Sequence, residues 1–188
     1  GNVGILGGIG PASTGVSVTN TADGQIIMDG RDTGIAVAIG ISDDAVVVNE
    51  GLIQVAGPLS GGVLVGENSS VTNSGDILVN GDTSIAVIGV DALVLDNSGF
   101  IVATGDDSRA VEAENGLTLT NTGAIEATGI AIDTRDSASI TNELDAFITT
   151  TGDGDTIQAG DSLTLLTNGT LRNDGSGTNG VDAGEGLN

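Results

Sequence analysis

The sequence predicts an all-β chain wound into a right-handed parallel β-helix of about seven coils, with three short strands per coil. Three observations carry that expectation. An aliphatic-x-Asn pattern recurs along nearly the whole chain. Each occurrence is followed by short runs in which aliphatic residues alternate with polar ones. The stretches between runs are rich in Gly, Asp, Ser and Thr, the residues of tight turns.

The recurrent residues are Asn20, Asn49, Asn73, Asn97, Asn121, Asn142 and Asn168, at spacings of 29, 24, 24, 24, 21 and 26. Two residues before each stands an aliphatic: Val18, Val47, Val71, Leu95, Leu119, Ile140 and Leu166. Two residues after four consecutive Asn comes Gly51, Gly75, Gly99 or Gly123. A second strand follows each, with Ile53/Val55, Ile77/Val79, Ile101/Ala103 and Ile125/Ala127 as its inward residues. A third alternating pair closes the unit: Ile35/Val37, Val63/Val65, Ile85/Val87, Val111/Ala113, Ile130/Ile132, Ile157/Ala159 and Val181/Ala183. Period-two alternation marks strands with one buried face. Stacking equivalent strands of successive units gives a solenoid whose coils start near residues 15, 44, 69, 92, 116, 137 and 162. The whole of 1–188 reads as one β-helical domain. Coils of about 24 residues favour the larger right-handed form, in keeping with right-handed crossovers between parallel strands.

Composition agrees. Leu, Ile, Val and Phe make up 53 of 188 residues, enough for a core in spite of a net charge of −22. Abundant Val, Ile and Thr favour strands, and 32 Gly favour turns. The Asn residues are expected at sharp corners, in the left-handed backbone region that Asn tolerates. Their amides would donate to the coil on one side and accept from the other, forming an internal ladder. The following Gly would let the chain turn without a Cβ clash.

The run Ser70–Gly129 contains "VTNSGDILVNG", "LDNSGFIVATG" and "LTNTGAIEATG", each followed by a short "GI" or "AV" strand. It resembles the passenger repeats of Gram-negative autotransporters and related β-helical adhesins. The likeness extends more loosely over Val16 to Ala183. It implies an extracellular or outer-surface location on a Gram-negative bacterium, and a structural role as stalk or fibre.

The residues bound the chemistry. No Cys or His is present, which excludes a disulfide framework, zinc fingers and thiol, Ser-His or Cys-His catalysis. Four Arg (Arg31, Arg109, Arg135 and Arg172) in different coils, with no Lys, give no footprint for nucleic acid. No apolar run reaches the roughly 18 residues of a spanning helix, so direct membrane insertion is not expected. Glycoside hydrolysis needs a spaced carboxylate pair. Asp43/Asp44, Asp106/Asp107 and Asp153/Asp155 are candidates, but each lies in a turn, and Trp and Tyr platforms are absent. A carbohydrate-active lyase or hydrolase is therefore the alternative reading, and an enzyme is not expected. No cofactor is expected apart from Ca²⁺, for which the acidic loops Thr151–Thr156 and Asn173–Asp182 offer Asp153, Asp155, Asp174 and Asp182. A Ca²⁺-dependent binding module is a second alternative. Thr118 and Thr120 share a strand, yet no Thr-x-Thr rank repeats coil after coil in the sequence.

The apolar "GNVGILGGIG" opens the chain without the basic flank of an intact signal peptide, as in a mature exported chain or an excised fragment. A solenoid exposes strand edges and core at both ends, and no amphipathic capping helix is evident. The chain is therefore expected to be either a fragment of a longer solenoid or a filament subunit whose ends meet those of further copies, with self-association end to end and a host or matrix surface as the expected partners.

Overall fold

A computed structural model describes residues 2–7, 15–30, 35–176 and 179–184. Arg31 lies outside them, as do two residues of the Asn173–Asp182 loop. The chain is a right-handed parallel β-helix without helices among the described residues. Strand β1 (Asn2–Gly7) precedes the first complete coil, β2 (Ser17–Asn20), β3 (Gln25–Asp29) and β4 (Ala36–Ile41). The second coil is β5 (Val46–Asn49), β6 (Leu52–Ala56) and β7 (Gly61–Val65). Then come β8 (Ser70–Asn73), β9 (Asp76–Asn80) and the long β10 (Ile85–Asn97), which closes one coil and opens the next. After β11 (Phe100–Thr104), β12 (Arg109–Asn121) does the same. The remaining strands are β13 (Ala124–Ala127), β14 (Ile130–Thr134), β15 (Ala138–Asn142), β16 (Phe147–Thr150), β17 (Ile157–Ala159), β18 (Leu163–Thr167), β19 (Thr170–Asn173) and β20 (Val181–Ala183).

Every pairing is parallel and joins a strand to its equivalent one coil away. The second strands form a sheet of seven, in the order β19-β16-β13-β11-β9-β6-β3. Six turns therefore separate its ends, spanning about 29 Å at ~4.8 Å per coil. The first and third strands merge into one thirteen-stranded sheet because β10 and β12 run through the corner between them. The third-strand column holds eight strands, β1 through β20.

The core is a stack of aliphatic columns. Val47, Val71, Leu95, Leu119 and Ile140 form one, and Ile53, Ile77, Ile101, Ile125 and Ile148 another, all buried.

The inward pairs expected on the second strands are buried, but the third-strand pairs shift in three coils. Register aligns Ile39 with Val63 and Val87 with Val111, so Ile39/Ile41 replaces the expected Ile35/Val37. Val87/Gly89 replaces Ile85/Val87, and Ile132/Thr134 replaces Ile130/Ile132. The reason is a buried column of small residues just ahead of the first inward one: Ala38, Ala86, Ala110 and Ala131, with Gly62 in register. Two successive buried residues there break simple alternation. A Cβ on Gly62 would collide with the side chain of Ile77, which shows how little space the column leaves.

The ladder runs from Asn20 to Asn142. Each Nδ2 donates to the Oδ1 of the next Asn at 2.7–2.8 Å, through Asn49, Asn73, Asn97 and Asn121. The same Nδ2 groups also reach backbone carbonyls, as Asn73 does to Gly75 at 3.0 Å and Phe100 at 3.2 Å. Two expectations are corrected. Asn168 is exposed and outside the ladder; Thr167 holds the register position beside Asn142 and accepts its Nδ2 at 3.4 Å. Gly169 then stands two residues after the ladder residue, as Gly75 and Gly99 do. Nor do the ladder Asn adopt positive φ; that conformation falls at other corners, at Asp44, Asn68, Ala92 and Gly116 in one column and Leu59, Thr83 and Asp107 in another. The ladder Asn holds its corner with its side-chain amide, without a left-handed backbone. The Gly two residues later serves close approach: a Cβ on Gly99 would overlap the Gly75 carbonyl oxygen beneath it.

Asn97→Ala removes a buried amide serving two neighbouring coils and should cost about 1–3 kcal/mol in denaturant melts. Asn20→Ala, at the ladder's open end, should cost clearly less. Ala92 carries φ 49°, so Ala92→Gly should stabilise by about 1 kcal/mol, whereas Gly116→Ala, at φ 67°, should destabilise by a similar amount.

Candidate functional site

One concavity arises from a shortened coil. Between β11 and β12 the corner uses Gly105 to Ser108, whereas between β13 and β14 only Thr128 and Gly129 intervene. The ladder spacing falls to 21 there, against 24 in the three coils just before it. The missing residues leave a notch of about 770 Å³. Thr128, Gly129 and Ile130 line it together with Asp106 and Asp107 from one side and Gly152, Asp153 and Gly154 from the other. Arg109 also lines it. Asp106, Asp107 and Asp153, scattered in sequence, are thus brought to one depression, while Asp43 and Asp44 stand at a different corner.

Arg109 belongs to a charge cluster on the outer face of β12 and β14. Its Nε lies 2.7 Å from Asp133 Oδ2 and 3.6 Å from Glu112 Oε2. Arg135 approaches Glu112 at 3.8 Å and Glu114 at 3.3 Å. Burial pushes the Glu112 carboxyl above the ordinary carboxylate range; Arg109 opposes that rise and Asp133 adds to it. The ionised form of Glu112 is therefore a cost to the folded state.

The four carboxylates considered for Ca²⁺ are dispersed over separate roles. Asp174 accepts from Arg172 Nε at 2.7 Å, and Asp155 accepts from the Asn179 amide at 2.6 Å. Asp153 lines the notch, and Asp182 lies on β20 opposite Gln158. Among the described residues no three acidic side chains converge in a way that could hold a metal ion.

A second surface became visible only through register. The outward positions of the first-strand column read Ser17/Thr19, Val46/Val48, Ser70/Thr72, Val94/Asp96, Thr118/Thr120, Ser139/Thr141 and Thr164/Leu166. Nine of these fourteen are Ser or Thr, and only Asp96 is charged. The sequence conceals this rank because Val and Ser stand in for Thr in several coils. A shallow, uncharged groove of about 430 Å³ runs beside it, lined by Val94, Gly116, Thr118, Ser139 and Thr164 among others. The two Phe residues lie on the opposite kind of position: both project outward from the second-strand sheet, in one register column with Ala124 between them.

The third feature is the partial cover of the first and last described coils. The apolar residues packed against the core but only partly covered are Val16, Val18, Ile26 and Met28 at one end and Leu165, Leu171, Val181 and Ala183 at the other. No helix among the described residues is long and apolar enough to cross a membrane.

Because the folded-state pKa of Glu112 is raised, its contribution to stability is full below the ordinary value of 4.5 and is lost as pH rises through the raised one. Glu112→Gln should therefore stabilise the protein at neutral pH and flatten the decline in melting temperature above pH 4.5. A pH series of thermal melts on both proteins checks this.

No family model matches the chain, and no characterised protein or solved structure matches it either.

Proposed function

We propose that this chain is an extracellular structural element, the stalk or fibre region of a Gram-negative bacterial surface adhesin, which associates end to end into filaments. The observation that carries the reading is the parallel stack itself: strands pair residue for residue with their equivalents one coil away, so a further coil, or a second copy, can add by the same pairing. A contact between unlike ends that does not close into a ring yields an open fibre.

The lateral surface suits a rod that meets other surfaces. Its acidic coat keeps rods apart by charge repulsion. The hydroxyl-rich face of the first strands presents one carboxylate in fourteen outward positions, so a host or matrix surface could approach there at the lowest electrostatic cost. The resemblance of "LDNSGFIVATG" and its neighbours to autotransporter passenger repeats points the same way.

Electron microscopy and small-angle scattering across a concentration series test the association. Rods should appear whose length is several times the ~29 Å of the stacked second strands. Compact monomers alone, at every concentration, would remove the filament from the proposal. Added salt should lengthen the rods by screening like charge.

A further inference from the structure

We propose that the outer face of the second-strand sheet carries a cage for a quaternary ammonium group. Phe100 and Phe147 are its walls, Ala124 its floor and Glu126 its flanking carboxylate. The cage goes beyond the structural role proposed above and does not depend on filament formation.

Phe100 and Phe147 are the only aromatic residues of the chain. Register places them in one outward column, on β11 and β16, with Ala124 of β13 directly between them. They are 56% and 50% exposed, so each keeps about half of its surface free. Two strand spacings of ~4.8 Å set them about 9.6 Å apart at the backbone. Side chains stand roughly perpendicular to a sheet, and the Ala124 methyl leaves the space between the two rings open. A group held midway lies about 4.8 Å from each wall, within the ~6 Å over which an aromatic ring attracts a cation. A flat ring in contact with both walls would need only about 7–8 Å and would leave a gap. A tetrahedral trimethylammonium is thicker and fills the slot.

The slot is fixed by the ladder. Each backbone carbonyl of the three residues accepts from a buried Asn amide: Phe100 from Asn73 at 3.2 Å, Ala124 from Asn97 at 3.2 Å and Phe147 from Asn121 at 3.1 Å. Walls ordered before the ligand arrives cost binding little entropy. Charge then selects the ligand. Asp76 is the register neighbour of Phe100 in the same column, and the exposed Glu126 lies two residues beyond Ala124 on the same outer face. Arg172, two strands from Glu126, has its Nε on Asp174 at 2.7 Å. Apolar walls are thus combined with negative charge, in a chain of net charge −22. An anion is repelled, and a second copy laid here would bring its own acidic coat against Asp76 and Glu126. A primary ammonium keeps a tight hydration shell that phenyl walls cannot replace. A quaternary ammonium has no N–H to satisfy and presents methyl groups to the rings.

The chain lacks Trp, Tyr and His, so in deuterated water every aromatic proton NMR signal comes from these two residues. Choline chloride, titrated at constant ionic strength against NaCl, should shift those signals and move its own methyl resonance upfield. The dissociation constant should be on the order of 1–10 mM. Dimethylbutanol, the uncharged carbon isostere of choline, should bind at least about fivefold more weakly. Ala124→Leu, which fills the slot, should abolish the shifts. Phe100→Leu and Phe147→Leu should each weaken binding about tenfold, and Glu126→Gln about threefold. All four positions face outward, and thermal melts check that the variants stay folded. Vesicle co-sedimentation separates two sources of the group. Binding to phosphatidylcholine but not phosphatidylethanolamine vesicles identifies a lipid headgroup, and choline binding without it identifies a soluble quaternary ammonium; both support the cage. No shift with choline, an equal affinity for the neutral isostere, or unchanged binding in Ala124→Leu overturns it. So do methyl pyranosides that shift the Phe signals where choline does not. Each result is read whether or not copies associate, so the cage and the filament fail separately.

Discussion

Register between successive coils is the constraint on which the rest of this structure depends. Each strand has its hydrogen-bonding partners one coil above and one below, so a shift of one residue would carry aliphatic residues to the surface and polar ones inside. The buried Asn ladder resists such a shift, because its amides meet only when equivalent residues are stacked. The glycines two residues later add a steric lock. At Gly75, Gly99 and Gly123 the backbone of one coil rests against the carbonyl of the coil beneath, and no side chain can enter.

Loop variation is confined to places where this register is indifferent to length. The ladder spacing ranges from 21 to 29, yet the strands on either side remain paired residue for residue. A shortened corner makes a notch without disturbing the core. Function in such a scaffold can accordingly be placed on corners and outer faces without altering the stack. Charge follows the same division. Carboxylates occupy turns and outward positions, and the partly buried Glu112 lies beside Arg109 and Arg135.

The outermost described coils obey the same rule as the middle. Apolar residues that continue the buried columns are only partly buried in the first and last described coils. The third-strand column holds eight strands and the other two hold seven.

The sequence by itself determined the coil, its parallel stacking, the ladder from Asn20 to Asn142, and the burial of pairs such as Ile77/Val79 and Ile101/Ala103. These rest on local alternation and on side chains that recur at one spacing. Tertiary structure alone decided the points where local alternation allows two answers. In "LTLLTNG" either Leu163/Leu165/Thr167 or Leu166/Asn168 could face inward; stacking on Ala138, Ile140 and Asn142, with Gly169 against the Glu143 carbonyl, selects the first. The third-strand pairs moved because Ala86 and its equivalents are buried beside Val87, a fact of curvature that no two-residue period contains. The hydroxyl face, the notch joining Asp106, Asp107 and Asp153, and the extra strand in one column have the same origin. Each is produced by residues that are distant in the chain and meet only when coils are laid in register.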